Sequence, residues 1–82
     1  MPRYYFDLKD SHGITVDEEG MELRDFEAAQ NEAGRALGSM ARDAASSVIR
    51  SGIEQMEIGV RDEAGPLMAV RFLFEVSRDR KR

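Results

Sequence analysis

From Phe26 to Val48, apolar residues return at steps of three and four: Phe26, Ala29, Ala33, Ala36, Leu37, Met40, Ala41, Ala44 and Val48. That spacing is the single stripe of an amphipathic α-helix. Glu27, Asn31, Glu32, Arg35, Arg42, Asp43 and Ser46 fall mostly on the other side. Asp25 is placed to cap the helix by accepting from the free N–H groups of its first turn. Glu27 sits where the helix dipole favours an anion, and Gly52 is suited to the residue just past the end. The stripe runs for about 24 residues, roughly 36 Å at the rise of an α-helix. One helix of that length crosses a small sheet from end to end, and its apolar side has to be buried against such a layer.

The flanks supply the sheet. Residues 3–9 alternate, with Tyr4, Phe6 and Leu8 on one side and Arg3, Tyr5, Asp7 and Lys9 on the other. Period two with aromatic enrichment marks a half-buried strand. Asp10-Ser11-His12-Gly13 is a turn, after which Ile14, Thr15 and Val16 open a second strand. Asp17-Glu18-Glu19-Gly20 breaks it, and Met21 and Leu23 lead into the helix. Residues 54–61 alternate again, with Met56, Ile58 and Val60 inward. Asp62 to Pro66 is a turn, and residues 67–76 form the last strand. Met68, Val70, Phe72, Phe74 and Val76 share one face of that strand; Leu67, Ala69 and Leu73 share the other with Arg71 and Glu75. The expected fold is therefore α+β in the order β-β-α-β-β, with one long helix packed on one face of a small, mainly antiparallel four-stranded sheet. Residues 1–77 form the single domain, and residues 78–82 a basic, flexible tail.

Composition narrows the chemistry. A chain of 82 residues is one domain, and domains this small often need a disulfide, a metal or a partner subunit. With no cysteine and one histidine, disulfides and thiolate sites are excluded and a zinc site is not expected. Oligomerisation is the remaining supplement. No apolar run reaches the roughly 18 residues of a membrane span. The opening Met-Pro-Arg-Tyr-Tyr-Phe-Asp carries no export signal, so a cytoplasmic location is expected. Arg78, Arg80, Lys81 and Arg82 against Asp79 make the tail a local +3, which leaves −7 on the other 77 residues of a chain whose total is −4. A body that acidic repels phosphate backbones, so no nucleic-acid partner is expected through it.

No motif carries catalysis. Asp10, Ser11 and His12 are nominally the parts of a triad, but neighbours on a hairpin tip cannot enclose a substrate. Asp17, Glu18, Glu19 and Glu22 lack the ligand spacing of a calcium loop and read as a solvated acidic turn. No phosphate-binding loop or dinucleotide fingerprint is present, and no cofactor or metal is implied. Gly34 and Gly38, four apart in the helix, each cost about 1 kcal/mol relative to alanine, which points to a packing reason.

Pro2 to Asp7, Asp17 to Leu23, Asp25 to Ala29, and Val60 to Glu63 with Gly65 resemble, in that order, a family of short bacterial proteins of unknown function. These are common in soil and plant-associated bacteria and open with a P-R-Y-F-F-D/H string. The resemblance covers nearly the whole chain. Many relatives carry a proline before the capping aspartate, where this chain has Arg24. The family brings no catalytic residues to carry over, so the resemblance implies the fold outline and a bacterial cytoplasmic setting. A looser similarity joins the hairpin and the alanine-rich helix entered at Asp25 to antitoxin domains of the HicB type. This chain lacks their Pro-Gly-Cys-type segment.

The last strand is apolar on both faces, while one helix covers one face. Such a strand is usually central or covered on both sides; a dimer would cover it, or would pair it if it were an open edge. The sequence thus leads to a non-enzymatic protein–protein interaction module acting as a homodimer. Its expected surface is Tyr5, Leu67, Ala69, Arg71 and Leu73. The alternative is an antitoxin-like acidic partner of a small basic protein.

Overall fold

A computed structural model of the chain describes residues 1–79, apart from the side chains of residues 47–49 and 51. The end of the basic tail lies outside the described residues. Strands β1 (Arg3–Asp10), β2 (Gly13–Thr15) and β3 (Met21–Glu22) precede helix α1 (Phe26–Ser51), and β4 (Ile53–Asp62) and β5 (Gly65–Glu75) follow it. The sheet runs β2-β1-β4-β5 with every pairing antiparallel, and β3 joins β1 beside β2. The α+β class and the single helix are as the residue pattern implies. The sheet, however, has five strands rather than four. The addition is β3, whose two residues are too short to show a period of two, so Met21 reads as a lead-in to the helix.

Local chemistry sets the boundaries. The Asp25 carboxylate accepts from the Ala28 N–H at 2.9 Å, satisfying one of the first-turn donors that no helical carbonyl can reach. The Leu23 N–H donates to the Pro2 carbonyl at 3.0 Å, which ties the entry of the helix to the start of β1. Gly52 leaves the helix at φ 95°, a conformation that L side chains rarely adopt. In the β4–β5 turn, the Asp62 carboxylate accepts from the N–H groups of Ala64 and Gly65 at 2.9 and 3.2 Å.

The core lies between the helix and the sheet, and α1 packs chiefly on β4 and then on β5. Ala29, Ala33, Leu37 and Ala41 are buried against Tyr4, Met56, Ile58 and Val60, with Phe6, Leu8, Met68, Val70 and Phe72 partly buried around them. The inward sets of all three long strands are those that the alternation indicates. Phe26, which opens the stripe, is exposed beyond this core, and the Val48 side chain lies outside the described residues. Ile58 and Val60 are the largest fully buried side chains among the described residues; much of the helix contribution is alanine. Gly34 and Gly38 are exposed, and a Cβ on either would meet nothing within 4 Å. The packing reason expected for them is absent among the described residues, and nothing there explains the pair.

Candidate interaction surface

The face of the sheet away from the helix is built in rows. Cross-strand register sets Tyr5 beside Arg61, Asp7 beside Gly59 and Ala69, Lys9 beside Glu57 and Arg71, Gln55 beside Leu73, and Ile53 beside Glu75. The register of β5 shifts between Val60 and Arg61, which makes Leu67 an extra residue. Tyr5, Leu67, Ala69, Arg71 and Leu73 therefore all stand on or beside this face, but they do not form one patch.

Tyr5 is taken up inside the chain. The Arg61 guanidinium lies over its ring, 4.5 Å from the centroid, a favourable cation–π geometry. Gly20, at φ 72°, presses against it: a Cβ there would stand 2.8 Å from the ring and 2.9 Å from the Tyr4 carbonyl oxygen. Tyr5 is thus a structural contact for the β3 segment rather than an open apolar group.

The same arginine organises a polar cluster. Its Nε donates to Asp7 Oδ2 at 2.9 Å, and a terminal nitrogen donates to the Asp17 carbonyl at 2.7 Å. The Asp17 N–H donates to Asp7 Oδ1 at 2.9 Å. The Asp17 carboxylate accepts from the N–H groups of Phe6, Glu19 and Gly20 at 3.1, 3.1 and 3.0 Å. Burial acts to raise the Asp17 carboxyl, but the backbone donors of Gly20, Phe6 and Glu19 and the charge of Arg61 outweigh it and hold the group below its ordinary 3.8. Asp17 is therefore not part of a merely solvated acidic turn. Its carboxylate takes the place of a missing strand: β2 pairs with Leu8–Asp10 and β3 with Arg3 and Tyr4, and the Phe6 N–H between them is satisfied by Asp17. An aspartate inside a strand is disfavoured, so Asp7 was the available sequence signal; its partner Arg61 is 54 positions away.

Leu67 and Ala69 border a shallow depression of about 500 Å³ on the outer face, with Ile14, Pro66 and Asp7 around it. Gly59 also lines it, and a Cβ there would meet nothing within 4 Å. Leu67 and Leu73 are 43% and 61% exposed, and Ile14 and Ile53, which the sequence reading did not single out, are 65% and 53% exposed. Arg71 bonds Glu57 through Nε at 2.7 Å and remains largely open. Among the described residues, strand β5 is the edge of the sheet and pairs with β4 alone, which removes the alternative that it lies in the middle. His12 is exposed on its hairpin tip, its N–H bonded to Asp10 Oδ1 at 2.8 Å. Among the described residues, no three histidine, aspartate or glutamate side chains converge as metal ligands, and no helix is long and apolar enough to cross a membrane.

A family model for a domain of unknown function, DUF6894, matches residues 3–80. The chain belongs to this family. No curated protein and no solved structure matches it. The DUF6894 match takes in both sheet edges, the helix and the Asp7–Asp17–Arg61 cluster. It defines the unit on which a function must be built without assigning one.

Proposed function

We propose that this DUF6894 chain is a non-enzymatic protein–protein interaction module that works as a homodimer through β5 and the adjoining outer face. The observation that carries the reading is the edge itself. An eleven-residue strand, with apolar residues on both faces and two opposite charges on the outer one, is paired on one side only among the described residues. Such an edge is a template for another chain unless it is short, charged, kinked or covered. The alanine-rich core supports the same reading, because small domains with little large-residue burial often draw stability from a partner. Light scattering over a concentration series tests it. A mass near twice 9.3 kDa is expected, and a 9.3 kDa species at every concentration overturns it. The acid excess of the body favours a second reading, in which the partner is a small basic protein; binding of that kind would fall steeply with added salt.

A further inference from the structure

We propose that two copies of the chain join β5 to β5 in antiparallel register about a two-fold axis at Leu73, locked by Arg71 of each copy against Glu75 of the other. The inference rests on the homodimer reading and specifies its geometry.

Backbone parity comes first. The Val76 N–H donates to the Gly52 carbonyl at 2.7 Å, one step beyond the Ile53–Glu75 pair. Residues of an antiparallel strand point their N–H and C=O groups alternately to either side. Phe74, Phe72 and Val70 therefore direct theirs toward β4, and Glu75, Arg71, Leu73 and Ala69 direct theirs to the open edge. The same four residues carry their side chains on the outer face. Between Ala69 and Glu75 there is no proline, glycine or register shift, so the backbone of that stretch is unbroken, and Arg71 and Glu75 are the only charges that a joining strand must match.

Side-chain identity then selects the register. With the axis at Leu73, Leu73 meets the partner's Leu73 as a hydrogen-bonded pair. Arg71 meets the partner's Glu75, and Glu75 meets the partner's Arg71. Each of these residues gives and takes one backbone hydrogen bond across the join. On the helix side, Phe72 meets the partner's Phe74, and Val70 the partner's Val76. Phe72 and Phe74 are both half-buried, their rings 6.0 Å apart, and they would merge with the same pair from the partner. Moving the axis to Arg71 or to Glu75 sets like charges opposite each other, and moving it to Phe72 or Phe74 leaves both charges facing uncharged residues. The Leu73 register alone satisfies both charges. Glu57, 2.7 Å from Arg71, holds the guanidinium on the outer face, while Glu75 makes no ion pair among the described residues. This axis is normal to the sheet, so both helices stay on one side and the sheets become continuous.

The test is a charge-swap mixture followed by light scattering, with circular dichroism to confirm folding. Arg71→Glu and Glu75→Arg each create two like-charge pairs across the axis, so each variant alone should self-associate about tenfold to a hundredfold more weakly than the native chain. Mixed in equal amounts they present opposite charges at both positions, and the dimer should return. Native-like dimers of the single variants, or a mixture that stays monomeric, overturn the register while leaving self-association intact. A native chain that is itself monomeric overturns the register and the homodimer reading together. Should Arg71→Glu disturb folding through Glu57, Leu73→Glu serves instead: it places two carboxylates on the axis, and a dimer as tight as the native one overturns the proposal.

Discussion

The two edges of the sheet are finished differently. At the β1 edge, two short strands of three and two residues dock side by side, and a carboxylate fills the gap between them. At the β5 edge, an eleven-residue strand runs open with Arg71 and Glu75 as its only charges. The first edge spends its polar residues inside the chain: Asp7, Asp17 and Arg61 bond one another and the backbone. The second leaves backbone groups and side chains available. An edge that is sealed by side chains resists pairing with another strand; an edge left open, as β5 is beyond its shift at Leu67, invites it. The contrast places the sealed polar cluster at one edge of the sheet and the unpaired strand at the other.

Unsealing the β1 edge should produce the largest effect. Gly20→Val combines a positive φ that a β-branched residue does not tolerate with contacts under 3 Å to Tyr5, Arg3 and the Tyr4 carbonyl. A loss of about 3 kcal/mol is expected in urea denaturation. Asp17→Ala should cost about 2 kcal/mol, since it removes charge-assisted acceptors from three N–H groups and leaves the Phe6 donor without one.

The same aspartate gives the comparison a pH signature. Its folded pKa lies below the unfolded value of 3.8. The stability it contributes is therefore fully present above 3.8 and lost as pH falls through the lower folded value, where the unfolded chain binds the extra proton. Native protein should lose stability with acid more steeply below pH 3.8 than Asp17→Asn does, as measured by thermal melts from neutral pH downward.

Hydrogen exchange would read both edges at once. The Phe6 amide should be protected although it donates to no strand carbonyl, because Asp17 accepts from it. The amides of Arg71 and Leu73 should exchange quickly at low protein concentration and slow as concentration rises, while those of Phe72 and Phe74 stay protected throughout. Concentration-independent exchange at Arg71 and Leu73 would erase the distinction between the edges. The smallest effect belongs to Glu57→Gln. Its pair with the exposed Arg71 is screened by solvent, so stability should change by no more than about 0.5 kcal/mol.

Much of this architecture is legible in the residues. The period of the helix and the alternation of Tyr4, Phe6, Leu8, Met56, Ile58 and Val60 report which side of each element is apolar, because that information repeats within a few positions. Asp25 and Gly52 mark the helix ends by local chemistry alone. The surface set was legible in part. Leu67, Ala69, Arg71 and Leu73 stand out as an apolar and charged row opposite the core side of their strand, but Tyr5 looked equally open on the same grounds. Ile14 and Ile53 escaped notice because Ile14 lies in a strand of only three residues and Ile53 is the first residue of β4, so alternation has no length in which to show.

By itself, then, the sequence determined the element types, their inward faces and the one-helix, one-sheet architecture. Only the tertiary structure decided the strand order, the docking of β3, the closing of Tyr5 under Arg61 and the exposure of β5 as an edge. The physical reason is separation along the chain. A side chain's face depends on its nearest neighbours in sequence. Which strand lies beside which depends on pairings such as Tyr5 with Arg61 and Asp7 with Gly59, which form only when the intervening helix brings distant segments together.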